Sequence, residues 1–147
     1  MTSKTSLLAA IASSLLLTIS PTRAQDAAPS TALEGTWEGS EVGRETTGKW
    51  TMKVTGNTLR FDSSTGKEWY TATFTLVSDQ TPKQLQATVT GCPEPTFVGK
   101  QAFSIFKIED GTLTLTGHHP GHPTAPKDFN DEPSSRTFVL RKAPTAK

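Results

Sequence analysis

The stretch Gln84-Leu85-Gln86-Ala87-Thr88-Val89-Thr90 alternates polar and apolar side chains without a break. Successive side chains of a strand point to opposite faces, so Leu85, Ala87 and Val89 share one face and the glutamines and threonines the other. A helix over the same residues would scatter the three apolar groups around its circumference. The pattern predicts a half-buried β-strand with threonine on its outer, solvated face.

The same period of two extends in both directions. Upstream, Glu68–Val77 sets Tyr70, Ala72, Phe74 and Leu76 against Trp69, Thr71, Thr73 and Thr75. Lys49–Val54 places Trp50, Met52 and Val54 on one face, and Thr58–Asp62 does so with Leu59 and Phe61 after a tight Gly56-Asn57 turn. Leu33–Glu41 is the first run. Downstream, Lys100–Glu109 is apolar on both faces, Asp110-Gly111 is a hairpin signal, and Thr112–Gly117 turns Leu113 and Leu115 inward. Ser135–Lys142 is the last run. Turns fall at Ser63–Lys67 and at Asp79–Lys83, Gly91–Val98 is a proline-containing connection, and no segment carries helical periodicity.

Eight sequential strands with one apolar face must stack as a sandwich or close on themselves. Closure removes the unpaired edges that invite aggregation, and eight strands leave an interior that side chains fill or that holds one small ligand. The expected fold is all-β: a single eight-stranded antiparallel up-and-down barrel.

The chain has 147 residues, 33% of them hydrophobic, with a mean hydropathy of -0.40, as expected of one soluble domain. Residues 1–24 read as a signal peptide. Lys4 supplies the positive start, Leu7–Ile19 the apolar core, Pro21 the break, and Thr22-Arg23-Ala24 the cleavage site before Gln25. The apolar run is short for a membrane span, so no span is expected once the leader is removed. Residues 25–32 form a linker, 33–142 the barrel domain and 143–147 a tail. Of the 15 basic residues, Lys4 and Arg23 fall in the leader, so 13 face 14 acidic residues beyond it. That balance gives no electrostatic basis for binding nucleic acid. An exported, periplasmic or extracellular monomer is expected. Cys92, the only cysteine, has no partner within the chain and lies at a turn between Gly91 and Pro93.

Leu33-Glu34-Gly35-Thr36-Trp37 resembles the Gly-x-Trp opening of lipocalin-like barrels. Together with Asp110–Leu115, Pro126–Phe129 and Phe138–Arg141, it resembles an uncharacterised family of lipocalin-like domains abundant in planctomycete bacteria. That family opens L-x-G-T-W, carries a D-G-x-L-x-L hairpin and an R-P-x-x-F loop, and closes on a short strand ending in Lys or Arg. The resemblance spans residues 33–142; Ala125 stands where the family has the loop arginine. It implies a lipocalin-like barrel. It also implies a structural pairing, Trp37 beneath a basic side chain of the last strand: Arg141, with Arg136 as the alternative.

The most chemical-looking cluster is His118, His119 and His122, with Asp128, Asp131 and Glu132 downstream. Imidazole and carboxylate suit zinc, copper or nickel, so His118, His119, His122 and Asp128 form a candidate metal set. The segment holds four prolines and reads as a loop, which offers no preset geometry. Glu38 with Glu41, and Glu109 with Asp110, are carboxylate pairs that nothing in the sequence buries, so they read as solvated surface charge. The chain has no nucleophile elbow, phosphate-binding loop, dinucleotide fingerprint or zinc-protease motif, so no catalytic residue and no cofactor are assigned. The inward aromatic and apolar residues Trp50, Met52, Phe61, Tyr70, Phe74 and Phe106 either line a pocket for a small apolar ligand or fill the lumen, and a mostly filled barrel with a shallow mouth pocket is expected. Three functions fit: a non-enzymatic exported barrel taking a small apolar ligand or a partner at its mouth, an envelope-associated structural module with no small-molecule site, or a weak metal binder through the His118–His122 loop.

Overall fold

The structure, a computed structural model, describes residues 32–130 and 133–144. The signal peptide, linker residues 25–31, Asp131, Glu132 and residues 145–147 lie outside the described residues. Eight strands run β1 (Gly35–Glu41), β2 (Lys49–Thr55), β3 (Thr58–Ser63), β4 (Trp69–Val77), β5 (Lys83–Gly91), β6 (Gln101–Glu109), β7 (Thr112–His118) and β8 (Ser135–Lys142). Each pairs antiparallel with the next, and β8 returns to β1, closing an up-and-down barrel. The expected strands hold to within two residues at every end. Short 3-10 turns occupy Glu45–Thr47 and Pro95–Phe97. No helix among the described residues is long and apolar enough to cross a membrane.

The apolar faces all turn inward. Leu33, Trp37, Trp50, Met52, Leu113 and Leu140 are essentially sealed from solvent and belong to one continuous cluster with Phe61, Phe74, Phe106 and Phe138. One end of the barrel is plugged. Leu33 and Trp37 close it, and the Trp37 indole N–H donates to the Leu33 carbonyl at 2.8 Å. A last-strand cation does cover this ring, but it is Lys142, 5.5 Å from the ring centroid, and neither Arg141 nor Arg136. The reason is the period of two. In β8 the even-numbered residues Arg136, Phe138 and Leu140 point inward, and Lys142 continues that series opposite Trp37, whereas Arg141 pairs with Glu38 on the outer face.

Closure depends on Gly39. A Cβ there would lie 1.9 Å from the Val139 carbonyl oxygen and 2.8 Å from the Leu140 Cα. Only a residue without a side chain lets β1 approach β8 this closely.

The double-sided apolar pattern of β6 also finds its explanation. Ile105 points outward yet is completely buried, beside Thr116 and Thr137, whose hydroxyls hydrogen-bond each other at 2.9 Å. Residues 119–130 of the connection after β7 fold back over this outer surface. Among them, Pro120 and Pro126 are buried, Gly121 N–H donates to the Gln101 carbonyl, and Phe129 lies under Lys107, 5.2 Å from its Nζ.

Gly39→Ala is expected to destabilise the domain by more than the ~1–3 kcal/mol of ordinary overpacking, because the obstructing atoms are backbone. Denaturant unfolding measures it; a midpoint equal to that of the parent protein would contradict the closure geometry.

Candidate functional site

The end opposite Trp37 is the mouth, ringed by the connections 42–48, 64–68 and 92–100 and by the described part, 119–130, of the connection after β7. Just inside it, β1 and β8 aim two opposite charges into the lumen. Glu41, expected on the surface, is instead buried (3% exposed), because it continues the inward series of Trp37 and Gly39. Arg136 meets it with two parallel hydrogen bonds, Nε to Oε1 and Nη2 to Oε2, both 2.7 Å. The same Nη2 donates to Glu68 Oε2 at 2.9 Å. Arg44 approaches Glu41 from outside at 3.6 Å. The Thr47 hydroxyl accepts from the Trp50 indole N–H and reaches Glu41 Oε2, each at 3.1 Å.

The guanidinium rests on an aromatic floor. Trp50, Phe61 and Phe138 pack with centroids 4.6–5.1 Å apart, and Arg136 lies 5.3 Å from the Trp50 ring and 5.4 Å from that of Phe138. Arg136 is therefore a cation over tryptophan, but over Trp50 at the mouth. Hydrogen bonds to Glu41 push its pKa above the ordinary arginine range against the pull of burial, so it stays charged.

Below this cluster the lumen is divided. One side is filled by Trp37, Trp50, Phe61, Phe138 and Leu140. The other, on β4 to β7, presents Ala72, Ala87, Ala102, Ser104 and Gly117, and there a cavity of about 150 Å³ remains, bordered also by Met52, Leu59, Tyr70, Leu85, Leu115 and Arg136. Of the six interior residues named from sequence, Met52, Phe61 and Tyr70 border this cavity. Trp50 is sealed behind Arg136, and Phe74 and Phe106 lie inward without bordering it. The decisive wall is made of small residues, which an inventory of large apolar side chains passes over; the signal was alanine, serine and glycine recurring at inward positions of adjacent strands. Toward the plugged end a second, larger depression of about 660 Å³ runs from Leu76 and Phe106 outward past Lys107 to Phe129. It spills onto the barrel's outer surface and begins at Ala32, where the described chain starts.

Burial raises the pKa of Tyr70 above its ordinary value of 10.0, and Glu68, Cys92 and Glu41 push the same way while Arg136 pulls it down. Cys92 donates its thiol to the Glu94 carbonyl.

The histidine loop does not assemble the metal set expected of it. His118 and His122 stack with ring centroids 3.8 Å apart, and the Nδ1 atoms of both face the Thr124 carbonyl, at 2.7 and 3.1 Å. His119 Nδ1 lies 3.1 Å from the neighbouring Pro120 carbonyl, and Asp128 accepts from the backbone of Asn130. His118 Nδ1 donates to the Thr124 carbonyl, and His122 Nδ1 also lies 3.3 Å from the Thr124 N–H as its acceptor. Among the described residues no three His, Cys, Asp or Glu side chains converge to hold a metal ion.

The closed eight-stranded barrel with a plugged end, an open mouth and a partly empty lumen has the architecture of lipocalin-like proteins. No family model, no curated protein and no solved structure matches the chain.

Two outcomes follow from the mouth. Arg136→Met is expected to cost about 3–5 kcal/mol, since it leaves the buried Glu41 carboxylate without its bidentate partner, and Glu41→Leu less, because Arg136 keeps Glu68; the double variant recovers most of the larger loss. Additive single losses in denaturant unfolding would contradict the pairing. Tyr70 is the chain's single tyrosine, so tyrosinate absorbance reports it alone. A raised folded pKa means its stabilising contribution is intact below pH 10 and fades as pH climbs through the higher folded value. The folded protein should titrate above the unfolded one; an equal or lower midpoint refutes the burial.

Proposed function

We propose that this is an exported, non-enzymatic barrel that carries a small apolar ligand in the small-residue half of its lumen. The observation that carries the reading is the cavity of about 150 Å³ left between Ala72, Ala87, Ala102 and Gly117 below a mouth bordered by Tyr70 and Arg136. Longer aliphatic side chains at Ala87 and Ala102 would fill this space with apolar contacts, so the small residues are what keep it open toward the mouth. An apolar cavity of this volume suits a body about the size of benzene. The leader read over residues 1–24 supports export, and an eight-stranded barrel has an interior of the size that holds one small ligand.

Toluene titrated calorimetrically into the protein should bind with a dissociation constant of about 0.1–1 mM, equivalent to ~4–5.5 kcal/mol. Ala87→Leu should abolish the heat while leaving the circular dichroism spectrum of the barrel in place. If neither toluene nor another one-ring compound gives saturable heat, the carrier reading fails and a structural module without a small-molecule site replaces it. Export is checked by N-terminal sequencing of protein recovered from a bacterial envelope, where Gln25 should come first; an intact Met1 would refute it.

A further inference from the structure

We infer that the lumen selects an uncharged ligand bearing one hydroxyl, a compact aryl or alkyl alcohol. Its apolar body would fill the small-residue half and its hydroxyl would meet that of Tyr70 or of Ser104. The inference rests on the carrier reading above and adds the chemical class of the ligand.

Two observations carry it. First, the Tyr70 and Ser104 hydroxyls border the cavity, and neither takes part in any side-chain hydrogen bond among the described residues. A hydroxyl both donates and accepts, so the two can pair with a hydroxyl presented in either orientation. Gly117 keeps this place open: a Cβ there would lie 2.5 Å from the Ser104 Oγ. An apolar ligand would leave both groups facing hydrocarbon, the arrangement that sites built around a hydroxyl discriminate against.

Second, the charges at the mouth are already matched. Arg136 spends Nε and Nη2 on Glu41 and Glu68, and Arg44 faces the outer side of Glu41. Two cations thus meet two carboxylates. A ligand carboxylate would find its cation already neutralised and two carboxylates close by. A ligand ammonium would find no unpaired anion. Charged head groups would lose their hydration without a partner.

Four probes with one ring separate the possibilities: toluene, benzyl alcohol, benzoate and benzylamine, each titrated calorimetrically into the protein. Benzyl alcohol should bind about 3- to 10-fold more tightly than toluene, the range expected of one or two neutral hydrogen bonds. Benzoate and benzylamine should bind at least about tenfold more weakly than benzyl alcohol. Tyr70→Phe and Ser104→Ala should each draw the benzyl alcohol to toluene affinity ratio toward one, a readout that general loosening of the barrel would not move. A ratio at or below one in the parent protein overturns the inference and leaves the carrier reading standing. Preference for benzoate or benzylamine also overturns it. Failure of all four probes to bind removes both.

Discussion

The seam between β1 and β8 is the constraint on which the barrel depends. Seven of the eight strand pairings join neighbours in the chain and need only a turn; the eighth brings Gly35–Glu41 against Ser135–Lys142 across the whole domain. Without it, two strands would present rows of unpaired N–H and C=O groups, and the apolar interior would open to water. The seam is fastened at three heights. Lys142 covers Trp37 at the plugged end, the bare backbone of Gly39 admits Val139 and Leu140 in the middle, and Glu41 grips Arg136 at the mouth. The ion pair is therefore also a clasp between the first and last strands, held over Trp50 and Phe138, where loss of Arg136 leaves the buried Glu41 only Arg44 and Thr47 and loss of Glu41 leaves Arg136 only Glu68.

That clasp shapes the site as well as the fold. The guanidinium and its aromatic floor fill one half of the lumen near the mouth, so the remaining space is confined to the wall of β4 to β7. A barrel of eight strands has just enough interior for side chains to fill. Here bulk on one side and alanine, serine and glycine on the other divide that interior into a packed core and a cavity. The connection over the outer face of β6 to β8 adds a second layer, with Ile105 and the Thr116–Thr137 pair sealed beneath it. Of the histidines, His118 and His122 turn to the Thr124 carbonyl, and His118 and His119 also border the cavity.

Much of this was legible in the chain because period-two alternation is a local property. Gln84–Thr90 and Glu68–Val77 declare their inward faces residue by residue, and the short Gly56-Asn57 and Asp110-Gly111 turns leave antiparallel neighbours as the only pairing. Strand limits, the inward residues and closure follow from those facts together with the cost of free edges. The same alternation places Glu41 inward with Trp37, but a charged residue at the end of a run looks like surface until its partner is known.

Only the tertiary structure decided what meets what across the lumen. Arg136 is 95 residues from Glu41, and their contact requires the seam to close in one register. That register also puts Lys142 rather than Arg141 over Trp37, since a shift of one residue exchanges the two faces of a strand. The cavity is likewise a property of the assembled barrel: no single strand contains it, and it exists because small residues on four adjacent strands come level with one another. Sequence alone determined the strands and the inward faces of the alternating runs, because those are set by neighbours along the chain. Partners and empty space are set by neighbours in three dimensions.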